Sequence, residues 1–228
     1  MLFRFNSFKG KHLELDNLLN YSVKFYKIIK KINSASGPVF VYSNFVEFGG
    51  IKSFAKALEA QGYKNYMEHG EGRKRFAFMT GNEKAHEKDE IKAVYNQIDN
   101  INGSKLKILL LSSAVKEGIS FKNIRQIHIL EPYWNWSRML QIIGRGVRYC
   151  SHKDLPEEER FVKVFIYLAT HPNEKETIDQ YIAKLAQQKH ALIMQFEKAM
   201  KEVAIDCELN KNANVYTELG EEPLVCDK

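Results

Sequence analysis

Short apolar bursts separated by longer amphipathic stretches leave this chain few ways to fold. The bursts fall at residues 39–42, 76–79, 106–111, 127–130 and 161–168. Each is too short for a helix and largely apolar, as expected of a strand buried on both faces. Between them, apolar residues recur at helical spacing. Leu15, Leu18, Leu19, Val23, Tyr26, Ile29 and Ile32 predict one helix over 13–32, stopped by Ser34, Ser36, Gly37 and Pro38. A second helix is predicted from about 51 to 61, ended by Gly62, and a third around Ile91, Val94, Tyr95 and Ile98. The polar stretch 81–88 is expected to be a loop. Strands that alternate with helices require crossover connections, hence an α/β fold with a parallel sheet and helices on both faces. Ligands of such sheets sit beyond the carboxyl ends of the strands. Ser43-Asn44, Thr80-Gly81 and Ser112-Ser113 fall there.

After His171-Pro172 the pattern changes. Ile178, Tyr181, Ile182, Leu185, Ala186, Leu192, Ile193 and Phe196 predict a long amphipathic helix, from about 177 to 200, that needs a partner for its apolar stripe. The expected division is therefore a sheet domain over 1–172 and a helical extension and tail over 173–228. With 44% hydrophobic residues the chain can build a core, and its net charge of +6 permits nucleic-acid contact without requiring it. No apolar run is long enough to span a membrane. Cys150, Cys207 and Cys226 show no C-x-x-C spacing, which predicts reduced thiols in an intracellular setting.

The most unusual line is Gln141-Ile142-Ile143-Gly144-Arg145-Gly146-Val147-Arg148. A guanidinium stays charged and is costly to bury unpaired. Arg138, Gln141, Arg145 and Arg148 are spaced to share one face if a single helix runs through them, with Met139, Leu140, Ile142, Ile143 and Val147 elsewhere. A cationic stripe on an otherwise greasy helix suits a cleft that holds an anion, phosphate above all. A second line, Leu109 to Ser120, runs a buried strand into small hydroxyl residues and Gly118, whose exposed peptide groups suit phosphate or sugar oxygens.

Taken together and in order, these lines resemble the second RecA-like domain of superfamily 2 helicases and translocases. Residues 112–120 resemble motif V. Residues 141–148 resemble motif VI, with Q-x-x-G-R-x-x-R complete. Residues 39–44 resemble motif IV, and Thr80-Gly81 the short contact that follows it. Glu117-Gly118-Ile119-Ser120, Glu131-Pro132-Tyr133-Trp134-Asn135 and Arg148-Tyr149-Cys150-Ser151-His152 are similar to the nucleoside-triphosphatase helicases of large cytoplasmic DNA viruses. That group includes the poxvirus transcription-termination ATPase and early-transcription-factor small subunit types, with asfarvirus and giant-virus relatives.

The resemblance implies roles. Arg145 and Arg148 would reach the terminal phosphates of ATP held with Mg2+ on a first RecA-like domain, as arginine fingers do. Gln141 would couple the ATP cleft to movement. Gly118 and Ser120 would lie near the nucleotide sugar. Ser43, Asn44, Thr80, Gly81 and Ser112 would hold the backbone phosphates of DNA or RNA. The implied partners are the first RecA-like domain of the same protein and viral transcription machinery, and the implied setting is the host cytoplasm or the virion. Neither G-x-x-x-x-G-K-[ST] nor D-E-x-[DH] occurs in the 228 residues, so the fragment alone is expected to be inactive. Two other readings use the same residues: a non-catalytic helicase-like scaffold, and a Swi/Snf-type translocase on double-stranded DNA.

Some residues have plainer readings. Asn135 suits a helix N-cap, Trp134 and Trp136 suit packing, and His128 suits a hydrogen-bonded core histidine. Cys150 with His152 is too small a set for zinc, and no metal site is expected.

Overall fold

The computed structural model describes residues 10–114, 119–213, 215 and 223–227. The elements run α1 (Leu15–Tyr21), α2 (Val23–Asn33), β1 (Val39–Tyr42), α3 (Ile51–Ala60), β2 (Lys64–Asn65), α4 (Tyr66–His69), β3 (Arg75–Met79) and α5 (Ala85–Tyr95). They continue with β4 (Ile108–Leu111), β5 (Gln126–Ile129), α6 (Trp136–Ile143), β6 (Lys163–Ile166), α7 (Ile178–Glu202) and α8 (Cys207–Asn210). The strands form one six-stranded parallel sheet in the order β2-β3-β4-β1-β5-β6. The fold is thus the expected RecA-like class, a parallel sheet flanked by helices.

Alternation along each strand divides the core. Val39, Val41, Ile108 and Leu110 face α2 and α3 with Ile28, Ile29, Ile32, Phe54 and Leu58. Phe40, Tyr42, Leu109, Leu111, Ile127 and Ile129 face α5 and α6 with Ile91, Tyr95, Met139 and Ile142. Burial on both faces explains why β1 and β4 are continuous apolar runs, whereas β6, expected to be buried, is an edge strand whose residues are exposed or half-buried.

Strand order fixes where a crevice opens. From β1 the chain crosses through α3 toward the β2 edge. From β5 it crosses through α6 toward the β6 edge. These neighbours send their connections in opposite directions, over opposite faces of the sheet. Such a reversal opens a crevice at the carboxyl ends of β1 and β5.

The first predicted helix is two. Ser22 caps α2 by accepting from the Phe25 N–H (3.3 Å), while apolar spacing runs on through it. Residues 81–88 are not all loop, since α5 begins at Ala85. Its first turn is charged and carries no apolar stripe, but Glu87 accepts from the Lys84 N–H at 2.7 Å and closes the turn. Gly50 opens α3 against the Phe45 carbonyl, where an added Cβ would lie 2.0 Å from the oxygen.

Helix α7 packs its first half across α6, with Ala186 buried between them and Lys24 paired to Asp179. Its second half leaves Leu192, Phe196 and Met200 exposed. The expectation of reduced thiols throughout is corrected. Cys207 and Cys226 are disulfide-bonded with Cα atoms 5.7 Å apart, and Cys150 is free and exposed. A fold-back of the tail joins them. The Asp227 N–H reaches the Glu202 carbonyl at 2.9 Å, a contact that cysteine spacing does not reveal. No helix among the described residues is long and apolar enough to cross a membrane.

Candidate nucleotide and nucleic-acid interface

The register aligns three of the predicted contact residues. Met79 pairs with Leu111, and Leu111 with Tyr42, so Thr80, Ser112 and Ser43 each lie one step beyond the last rung of adjacent strands. At about 4.8 Å between neighbours they form a row about 10 Å long. All three are buried.

Two of the three hydroxyls are engaged by carboxylates. Ser43 Oγ donates to Glu131 across the β1–β5 crevice (2.9 Å to Oε1), and the Asn44 N–H donates to the same carboxylate. Burial pushes the Glu131 carboxyl up, while the bonds from Asn44 and Ser43 pull it back. Thr80 Oγ1 donates to Glu83 Oε1 at 3.1 Å, and Glu83 also accepts from the Thr80 N–H. Ser112 Oγ accepts from the Ala114 N–H at 3.4 Å. The hydroxyls of Ser43 and Thr80 therefore face inward. Beside this row Asn44 is half-buried and Gly81 is exposed next to Ala114.

The arginine segment differs from the single helical face that spacing suggests. Helix α6 ends at Ile143 with Gly144 as its C-cap, so residues 145–148 leave the helix. Gly146 lies flat against the sheet, where an added Cβ would come within 3.0 Å of Ile124 Cδ1 and Phe40 Cε1. This contact draws Arg145 inward, to 8% exposure, with its carbonyl accepting from the Phe121 N–H at 3.0 Å. Arg148 lies on the exposed side, where its Nε donates to the Gly144 carbonyl at 3.1 Å. Gln141 is also exposed, and the half-buried Ser120 accepts from Asn96 Nδ2 through its carbonyl at 3.2 Å. Gly118 lies outside the described residues.

Arg138 of the predicted stripe and Tyr42, which spacing did not single out, complete the site. Arg138 donates to the Ser113 carbonyl at 3.3 Å. Burial raises the Tyr42 phenol above its ordinary value, and hydrogen-bonded Arg138 together with the charge on Arg145 opposes that rise. Tyr42 in turn donates to Asn44 Oδ1 at 2.9 Å, so a chain of polar contacts links the arginine cluster to the end of β1. His152 Nε2 lies 2.8 Å from the Ile124 carbonyl, and Nδ1 lies 2.8 Å from Ser151 Oγ. A carbonyl only accepts, so Nε2 carries the proton, Nδ1 accepts from Ser151, and Ser151 Oγ accepts the Arg148 N–H at 3.2 Å. This structural task accounts for His152, and no metal-binding group occurs among the described residues.

His128 bridges Tyr167 (2.9 Å) and Gln126 (3.0 Å) inside the sheet, and burial lowers its pKa to about 3. Asn135 caps α6 by accepting from the Ser137 N–H at 2.9 Å. Trp136 packs against the core beside His190, but Trp134 is half exposed beneath Lys189 of α7, 4.7 Å from the ring centre. Trp134 is thus not a core residue; its ring packs against Tyr133, with centres 5.4 Å apart, and lies under Lys189.

Comparison with known proteins identifies the family. Residues 23–150 match the helicase conserved C-terminal domain, and residues 152–223 match the nucleoside triphosphatase I C-terminal family. A protein of Acanthamoeba polyphaga mimivirus described as an ATP-dependent RNA helicase is 50% identical over 98% of this chain. The termination factor NPH-I homolog of African swine fever virus (isolate Warthog/Namibia/Wart80/1980) is 33% identical over 84% of the chain. A helicase of Invertebrate iridescent virus 3 is 33% identical over 88% of it. The chain spans 39%, 33% and 22% of these relatives' own lengths. It belongs to the helicase conserved C-terminal domain family, in the form carried by the large nucleocytoplasmic DNA viruses.

Proposed function

We propose that this chain is the C-terminal motor lobe of an ATP-dependent nucleic-acid helicase or translocase acting in viral transcription, with residues 1–172 as the RecA-like lobe and 173–228 as a helical extension. The observation that carries the reading is the placement of Arg148. Its guanidinium is exposed on the segment that follows α6, while its backbone N–H is tied through Ser151 and His152 to the Ile124 carbonyl, just ahead of β5. With Arg145 and Arg138 nearby, the site gathers guanidinium charge where a triphosphate held by a neighbouring lobe would dock. Bound ATP with its Mg2+ would supply the phosphoryl group. This chain's task is to place positive charge beside it as charge builds there. Gly118 and Ser120 belong near the sugar in this reading. Ser43, Asn44, Thr80, Gly81 and Ser112 line the path of a DNA or RNA backbone. Gln141 and the Arg138–Tyr42–Asn44 contacts connect the two.

Steady-state turnover of the full-length protein tests this. Arg148→Ala should lower kcat about a thousandfold while leaving nucleic-acid affinity and melting temperature nearly unchanged. Unchanged turnover would remove the assignment. The isolated 228-residue chain should not turn over ATP.

A further inference from the structure

A cavity of about 600 Å³ opens at the crevice between β1 and β5, on the α2–α3 face of the sheet. Its rim carries three exposed aromatic rings, Tyr21, Phe45 and Phe48, and Phe25 lines it further in. Phe25 is held edge-on by Phe54, with ring centres 5.2 Å apart. The polar part of the wall is Ser22, Ser53, Glu131, His12 and Lys24, whose Nζ is taken up by the Leu130 carbonyl (2.9 Å) and by Asp179. Ser53 Oγ accepts from the Gly49 N–H at 3.1 Å and keeps its own proton to donate. Glu131 is the carboxylate that binds Ser43 and Asn44. An apolar, aromatic-lined hollow with a few convergent polar groups, at a topological switch point, has the character of a site for a flat ring.

We propose that this cavity receives a nucleobase of the strand whose backbone passes Ser43 and Asn44. The proposal rests on the reading of Asn44 as a backbone contact. Continuity argues for this occupant. One residue, Glu131, forms both the cavity wall and the support of Ser43 and Asn44, so a nucleotide whose phosphate meets Asn44 has its base at the cavity mouth. Phe45, next in sequence to Asn44, offers a face for stacking, and every base has a face to stack. The cavity therefore grips strands without selecting their sequence.

Binding of the full-length protein to a short single-stranded oligonucleotide, and to the same strand with its bases replaced by abasic sites, tests this by fluorescence anisotropy. Wild type should lose about fivefold to a hundredfold in affinity on the abasic strand. Phe45→Ala should weaken the intact strand by a similar factor and the abasic strand no further. Tyr21→Ala, on the rim and 72% exposed, should repeat the pattern without unfolding the protein. Equal affinity of wild type for both strands would overturn the proposal, as would a Phe45→Ala loss of equal size on both. The cavity would then serve an apolar side chain of another lobe. Asn44→Ala separates the two layers of argument. It should weaken intact and abasic strands alike; if it weakens neither, the backbone reading fails, and the base proposal fails with it. If the cavity alone is misassigned, the Asn44→Ala effect persists and the base effect vanishes.

Discussion

His152 donates through Nε2 to the carbonyl of Ile124, 2.8 Å away, and thereby ties the segment after the arginines to the residues that lead into β5. Removing it orphans the Ile124 carbonyl and the Ser151 hydroxyl together. His152→Ala should cost about 1–2 kcal/mol of stability, yet lower kcat of the full-length enzyme at least about tenfold, because Arg148 loses its anchor. Thermal melting alongside steady-state kinetics checks this. A fall in kcat no larger than the stability loss explains would show that the anchor does not serve turnover.

Gly146 has an ordinary backbone conformation, so a side chain there is limited only by space. Gly146→Ala would press its methyl on Phe40, Ile124 and Ile127, whose nearest atoms lie 3.0–3.2 Å from the Cβ position. The expected cost is about 1–3 kcal/mol, and the displaced Arg145–Arg148 segment should lower turnover further. Wild-type melting behaviour in Gly146→Ala would show that the neighbouring side chains yield freely.

His128 gives the fold a pH dependence of known sign. Its pKa is about 3 when folded, against about 6.5 in an unfolded chain. The unfolded chain therefore takes up the proton first. The contribution is complete above about pH 6.5 and is lost as the pH falls toward 3, at about 1.4 kcal/mol per pH unit. Urea denaturation at pH 7, 6 and 5 should show a slope for wild type that exceeds that of His128→Gln by up to one proton. Parallel slopes would mean that His128 is protonated in the native sheet.

The disulfide links the tail to α8, at Cys207. Cys226→Ser should expose residues 223–227 to protease while leaving the melting of the sheet within about 1 kcal/mol. Limited proteolysis followed by mass spectrometry reads this directly. Cleavage within the sheet in the variant alone would show that the tail supports the core.

Apolar runs in the sequence marked five of the six strands but not the two-residue polar β2 at the edge, and short-range polar chemistry escaped them. The run at 106–111 identified β4 because burial on both faces imposes an apolar run. Ser22 could not be recognised as a helix break, because its cap is one hydrogen bond within an unbroken apolar spacing. Arg145 and Arg148 were found by spacing, but their unequal exposure depends on Gly146 meeting Phe40, a contact far apart in sequence. Glu131 stood in a recognisable motif, yet its bonds to Ser43 and Asn44 cross between strands and leave no trace in local pattern. Arg138 and Tyr42 were missed as partners for the same reason. The pairing of Cys207 with Cys226 depends on the tail reversing direction at a place where periodicity has already vanished.

The central position of β1 sets an assembly problem. Val39 has neighbours at Ile108 and Gln126, so both flanks of β1 must wait for segments that leave the ribosome much later. Until then its amide edges stay open to stray pairing, which makes the interval before β4 emerges the stage most in need of a chaperone. A chain halted after α5 would have no partner for that strand on either side.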